Sequence, residues 1–300
     1  MLNASSLALL ETGGSNTAVG KGALASCTTG HSNASLGTDA GFGITTGVQN
    51  ISIGQGAGRT RTTGDGNVAI GEQSSYPGTT GDNNTAVGNL SMRTLTTGAG
   101  NTCVGTSAMY AITEGGNNTT MGASAGASIT TGSNNLCLGH ASGVASQPGG
   151  AITTGSNVIA IGDSSSANAH IQIDWTVASD KRDKTDVTPL DMGLSFINKL
   201  EPVTYKWDKR VKYEEGETPD GTHKESWTDV GFLAQDVEKI EAEFGHKIED
   251  ETNLTTYMSE DKDAYGLTYA KFVPMLVKSI QELSTQVDEL KSELLALKGE

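Results

Sequence analysis

Residues 84–98 read Asn84-Thr85-Ala86-Val87-Gly88-Asn89-Leu90-Ser91-Met92-Arg93-Thr94-Leu95-Thr96-Thr97-Gly98, and 17 positions later the same pattern begins again. Asparagine recurs at Asn16, Asn33, Asn50, Asn67, Asn84, Asn101, Asn118 and Asn135. Four residues after each stands a glycine, from Gly20 through Gly37 and Gly54 to Gly139. An aliphatic residue precedes that glycine: Val19, Leu36, Ile53, Ile70, Val87, Val104, Met121 and Leu138. A small residue follows it by three: Ala23, Ala40, Ala57, Ser74, Ser91, Ala108, Ala125 and Ser142. Thr-Thr-Gly recurs at 28–30, 45–47, 62–64, 79–81, 96–98, 130–132 and 153–155, with Thr113-Glu114-Gly115 as the degenerate copy. A ninth turn, Val158-Ile159-Ala160-Ile161-Gly162, is displaced by an insertion around Ser146–Gly150.

A helical repeat needs about 33 residues or more and good helix formers. This unit is shorter and rich in glycine, threonine and β-branched residues, which favour short strands and tight turns. One strand with glycine corners makes one coil of a β-solenoid or β-roll. Coils stack at about 4.8 Å, so nine span roughly 40 Å. The expected coil turns its aliphatic residue inward as a column, fits the small residue where the wall is narrow, and stacks the asparagines in hydrogen-bonded register. Ile44, Leu95, Ile112 and Ile129 supply a second inward residue in some coils. So thin a core needs further copies of the chain to cover its apolar edge. A disordered linker has no need of an aliphatic residue at one phase over eight copies. The repeat resembles the heads of trimeric adhesins and the repeats of phage tail fibres over residues 11–162.

Composition divides the chain in two. Of 39 glycines only seven follow residue 178, whereas residues 1–178 carry a net charge of −4 and residues 179–300 one of −11, within a total of −15. That charge, without a basic patch, argues against nucleic acid as a partner. No apolar run approaches the ~20 residues of a membrane helix, so membrane insertion is not expected. The start lacks a basic segment followed by an apolar core, so no secretory signal is evident. Cys27, Cys103 and Cys137 form no C-x-x-C pair and read as buried, reduced thiols. Five scattered histidines show no ligand spacing, so neither a metal nor a cofactor is expected.

After the repeats, Ile171–Val177 alternates as a strand. Ala178-Ser179-Asp180-Lys181-Arg182-Asp183-Lys184 follows. This run resembles the start of the intramolecular chaperone domain of phage tail spikes and fibres, the peptidase S74 family. The resemblance continues in a helix opened by Thr188-Pro189-Leu190 and containing Leu194, Ile197 and Leu200, and in a strand Pro202–Trp207. It extends to Val230-Gly231-Phe232-Leu233-Ala234-Gln235-Asp236-Val237, and Tyr265–Tyr269 leads into a terminal helix. The resemblance implies self-cleavage of the Ala178–Ser179 bond, with the Ser179 hydroxyl as nucleophile, Lys184 as base, and Asp180, Arg182 and Gln235 in support. A serine hydroxyl needs a neighbour to take its proton, and a lysine does so only when desolvation or nearby cations lower its pKa. Lys181 and Arg182 act in that sense, Asp180 and Asp183 against it. Residues 208–228 read as a solvated loop, and Trp175, Trp207 and Trp227 as packing residues.

Val273, Leu276, Ile280, Leu283, Val287, Leu290, Leu294 and Leu297 alternate spacings of three and four, the a/d seam of a coiled coil. β-branched residues at a with leucine at d favour two strands in isolated peptides; the repeats and the resemblance imply three.

The expected organisation is a segment 1–10, a mainly β shaft 11–162, a strand connector 163–178, an α+β chaperone domain 179–269 and a parallel trimeric coiled coil 270–300. The function implied is that of a virion-borne homotrimeric tail fibre. Its partners would be other tail proteins and a host surface receptor, a glycan or outer-membrane component. A fibre-borne polysaccharide depolymerase would want paired carboxylates in a groove, and Glu11, Asp39, Asp65, Glu72, Asp82 and Glu114 share no single repeat phase. A bacterial surface adhesin would want a signal peptide and a membrane anchor.

Overall fold

The structure, a computed structural model, describes residues 6–78, 80–145, 149–166, 168–172, 175–214, 216–260 and 262–299. Thr79 of one Thr-Thr-Gly copy, the start of the 1–10 segment, Ser146–Pro148 of the insertion and Ile173–Asp174 of the expected connector strand lie outside these. The chain forms two compact units, one ending at Ala167 and the other beginning at Asn168.

The first unit is the β-solenoid that the 17-residue period implies. Its nine strands are β1 (Thr17–Val19), β2 (Ala34–Leu36), β3 (Ile51–Ile53), β4 (Val68–Ile70), β5 (Thr85–Val87), β6 (Thr102–Val104), β7 (Thr119–Met121), β8 (Leu136–Leu138) and β9 (Ile159–Ile161). They pair in parallel in chain order, Thr17 opposite Ala34, Ala34 opposite Ile51, and so on. Between β8 and β9 Leu136 faces Ile159, a step of 23 rather than 17, so the pairing register continues across the insertion.

The inward column is not the one expected. Alternate residues of a strand point to opposite faces, and a three-residue strand has one inward position, its middle. Ala18, Ser35, Ser52, Ala69, Ala86, Cys103, Thr120 and Cys137 occupy it, each at most 5% exposed. The aliphatic residues before the glycines face out instead: Val19 is 43% exposed, Leu36 50% and Met121 55%. The lumen is too narrow for a branched side chain on that wall, because the opposite wall already supplies Leu24, Met92 and Met109 together with Ile44, Leu95, Ile112 and Ile129, all buried. The small residues from Ala23 to Ser142 are buried as expected. The glycine after the aliphatic residue turns the corner: Gly88 has φ +137°, and a Cβ there would lie 2.3 Å from the Gly105 carbonyl oxygen of the next coil.

Asparagine forms the ladder. Asn84 Oδ1 accepts the Asn101 backbone N–H at 3.0 Å and its Nδ2–H at 3.1 Å, while Asn84 Nδ2 donates to the Gly98 carbonyl at 2.8 Å. The unit repeats from Asn16 to Asn135. Threonine adds an outer ladder, Thr96 Oγ1 donating to Thr113 O at 2.9 Å. One core position breaks the apolar rule: Arg61 stands in the column of Ile44 and Leu95, fully buried, with Nη2 donating to Ser75 Oγ at 2.9 Å. Burial pulls its pKa down to about 10, and pushes those of the Cys103 and Cys137 thiols up, to about 12 and about 11.

The second unit packs α1 (Leu194–Ile197), α2 (Ala234–Glu243) and α3 (Phe272–Lys298) with two antiparallel pairs, β10 (Val203–Tyr205) with β11 (Asp229–Gly231) and β12 (Thr256–Met258) with β13 (Tyr265–Leu267). Met192, Phe196, Val237, Phe272 and Met275 form its core, with Ile240, Phe244 and Leu254 packed against them. Two expectations are corrected. The helix expected from Thr188 starts only at Leu194, after Gly193, and Leu200 lies beyond its end; a proline at 189 disfavours helix in the residue before it. Ile171–Val177 forms no strand among the described residues, and Trp175 and Val177 are 74% and 80% exposed, because no neighbouring strand pairs with it.

Two carboxylate contacts, one of them buried, tie the second unit together. Glu241, on α2, accepts the backbone N–H and the hydroxyl of Thr255 at 2.6 Å each, and the Thr256 hydroxyl. Glu282, on α3, accepts the Leu194 backbone N–H at 2.7 Å, at the start of α1, and this bond, with Lys278 nearby, holds its carboxyl below the usual range.

Replacing Asn84 by alanine leaves the buried Gly98 carbonyl and Asn101 N–H unpaired, and is expected to destabilise the solenoid by about 2–5 kcal/mol, read from urea unfolding. The Glu282 contact stabilises the fold fully above the free glutamate pKa of about 4.3 and loses that contribution as pH falls through the lower folded value. Wild type should therefore exceed E282Q in melting temperature at pH 7, and the gap should close on acidification below pH ~4.

Candidate functional site

Residues 178–184 form a solvent-exposed turn built by local hydrogen bonds. Asp180 caps a single 3-10 turn, Lys181–Asp183, by accepting the Arg182 backbone N–H at 2.9 Å. The Arg182 guanidinium closes back on the same carboxylate, Nε at 3.1 Å and Nη2 at 2.6 Å. The pair shifts both groups: Arg182 holds the Asp180 carboxyl below its ordinary value, and Asp180 raises the Arg182 guanidinium. Asp183 N–H donates to Asp180 O at 3.2 Å and Lys184 N–H to Lys181 O at 3.3 Å. The turn reverses the chain so that Lys184 Nζ, five residues on, donates to Ser179 Oγ at 2.6 Å.

The structure thus brings Ser179, Lys184, Asp180 and Arg182 into one turn. Gln235 stands exposed in the first turn of α2, and no hydrogen bond joins it to Ser179 or Lys184 among the described residues. General-base action by Lys184 needs its neutral amine. Desolvation is the means of obtaining it, and Ser179 and Lys184 are both exposed on the single chain. Arg182 is neutralised by Asp180, so it adds little positive field.

Gly231 has a reason of its own. The Tyr269 hydroxyl accepts the Phe232 N–H at 3.1 Å and would lie 2.4 Å from a Cβ at position 231. The Gly231-Phe232 pair and Thr268-Tyr269, 37 residues apart, are therefore one contact. Glu241 and Glu282 escape sequence reading, because an acidic residue on an amphipathic helix looks like solvated surface until its N–H partners are placed.

Two apolar surfaces lack cover. On α3 the face carrying Phe272, Met275 and Ser279 is buried, whereas the seam residues from Val273 to Leu297 are 40–85% exposed. On the solenoid, Leu36, Ile53 and Val104 repeat outward once per coil at 50%, 37% and 37% exposure. Among the described residues no group of three or more histidine, cysteine or acidic side chains could hold a metal, and no helix is long and apolar enough to cross a membrane. Asp65 and Asp82, one coil apart, accept backbone N–H groups of the preceding coils, from Val48 and Asp65, at 2.8 Å each.

Residues 179–246 match the family model for peptidase S74, the chaperone of endosialidase. No curated protein and no solved structure gives a significant match. A solenoid followed by this segment fits a tail fibre with a C-terminal chaperone domain.

Proposed function

We propose that the chain is a homotrimeric phage tail-fibre protein, carried on the virion, whose C-terminal unit assembles three copies and is then released by cleavage of the Ala178–Ser179 bond. The observation that carries this reading is the coincidence of two facts at one residue. The chaperone-family match begins at Ser179, and the Ser179 hydroxyl is the group to which Lys184 is hydrogen-bonded.

The assembly logic follows from the solenoid. Stacking coils with so thin a core leaves sticky edges exposed until it is complete. Pairing of the exposed α3 seams holds three chains parallel and in register. Equivalent coils then meet at equal height, and the outward stripe of Leu36, Ile53 and Val104 on one copy is covered by the same stripe on the others. The finished shaft persists kinetically without its helper, so the helper can be cut away.

The chemistry balances without a cofactor. Neighbouring copies covering the turn would strip water from Lys184 and favour its neutral amine. Lys184 takes the proton of Ser179 Oγ as that oxygen adds to the Ala178 carbonyl carbon. The C–N bond breaks, the proton returns to the Ser179 amine, and an Ala178 ester remains. Water hydrolyses the ester, leaving the Ala178 carboxylate and restoring the Ser179 hydroxyl. Asp180 and Arg182 hold the turn that sets Lys184 against Ser179. The partners of the fibre are other tail proteins and a glycan or outer-membrane component of the host surface.

A denaturing gel with intact-mass analysis tests this. Wild type should yield pieces of 178 and 122 residues, S179A should stay whole, and K184M should cleave at least about 100-fold more slowly. Light scattering should give three chain masses for S179A. A wild type that stays whole in a folded trimer removes the cleavage step, and a monomeric S179A removes the assembly reading.

A further inference from the structure

Phe42, Arg59, Tyr76, Arg93 and Tyr110 stand one coil apart in a single outward column, aromatic and cation alternating. The first four are in contact. The Arg59 guanidinium lies 5.6 Å from the centre of the Phe42 ring and 5.7 Å from that of Tyr76, and its Nη1 donates to the Tyr76 hydroxyl at 2.8 Å. Arg93 sits 4.3 Å from the same Tyr76 ring, its Nε donating to Gln73 at 3.2 Å. Asp39 lies 3.5 Å from Arg59. The column remains open to solvent: Phe42 is 38% exposed, Tyr110 41% and the Arg59 side chain 37%.

A cation–π stack of this kind staples coils together, but stapling does not explain where the charge is placed. The repeats through Gly162 contain four basic residues, Lys21, Arg59, Arg61 and Arg93. Arg61 is buried, so two of the three remaining cations lie on this one column, in a chain of net charge −15. The column falls eight residues after the start of each strand and six after the outward aliphatic residue, about a third of the way round the coil.

We propose that this column is a binding surface for a linear glycan that carries carboxylates, a hexuronate-containing polysaccharide. The inference rests on the fibre reading above and names the ligand class of the receptor. Arg59 and Arg93 are two coils apart, about 10 Å, a spacing suited to acid groups recurring along an extended sugar chain. A guanidinium takes a carboxylate with two parallel hydrogen bonds, and the apolar C–H face of a sugar ring packs on the exposed rings of Phe42 and Tyr110 on either side of the two arginines. Single-stranded nucleic acid offers phosphates and stacking bases to the same groups, but the acidic chain disfavours it.

Calorimetry on the full-length S179A chain with an oligogalacturonate as probe decides the matter, with a dextran oligosaccharide and oligothymidylate as comparisons. The oligogalacturonate should bind and the dextran should not. R59Q/R93Q should lose about ten-fold or more in affinity, Y76F/Y110A should weaken it, and K21Q, which removes the cation off the column, should leave it unchanged. Circular dichroism of each variant confirms that the solenoid is folded. No binding to the wild-type column, an equal loss in K21Q, or equal binding of oligothymidylate overturns the proposal. Light scattering separates this from the fibre reading: a monomer that still binds the probe keeps the column and removes the fibre, and a trimer that does not bind does the reverse.

Discussion

The asparagine ladder is the constraint on which the solenoid depends. A coil with so little inside it cannot rely on burial of large apolar groups, since its strands turn alanine, serine, cysteine or threonine inward. What remains is the backbone, and a buried backbone group without a partner costs as much as a lost hydrogen bond. Asn84 closes three such accounts at once. Its oxygen takes the N–H of the next asparagine backbone and side chain, and its amide gives to the glycine carbonyl. The side chain acts as a piece of sheet inserted where the chain turns too sharply to form one.

That constraint sends the larger aliphatic residues outward. With the middle residue of each strand inside and the lumen filled from the opposite wall, Val19, Leu36, Ile53, Val104 and Met121 have nowhere to go but the surface. Exposed singly they would be ordinary. In one phase, coil after coil, they form a continuous apolar stripe, and stripes of that extent mark interaction surfaces. The terminal helix repeats the situation: one face is buried in its own unit, and the seam from Val273 to Leu297 is bare. Both surfaces are apolar, repeat along the chain and stand open to another molecule.

The turn at 179–184 has the same incompleteness. Asp180 and Arg182 shape it and Lys184 reaches Ser179, yet the whole segment lies in water. Chemistry at this turn would need that water removed first, since general-base action needs a neutral amine.

The period of 17, the asparagine and glycine columns, the heptad seam and the Ser179–Lys184 spacing were all legible in the linear sequence, because each is a local or strictly periodic feature. So was the burial of Ile44 and Ile112. The facing of Val19 and its counterparts was not, because a three-residue strand with apolar and small residues alternating is compatible with either face inward; only the filling of the lumen by residues across the coil decides it. The same holds for Gly231, whose need arises from the Tyr269 hydroxyl 38 residues away, and for Glu241 and Glu282, whose partners come from other elements. Composition and spacing determined the architecture, since they state what the backbone must do at each step. Only the tertiary structure decided which side chains are inside and which stand ready for another molecule, since that depends on space, and space is set by residues far apart in the chain.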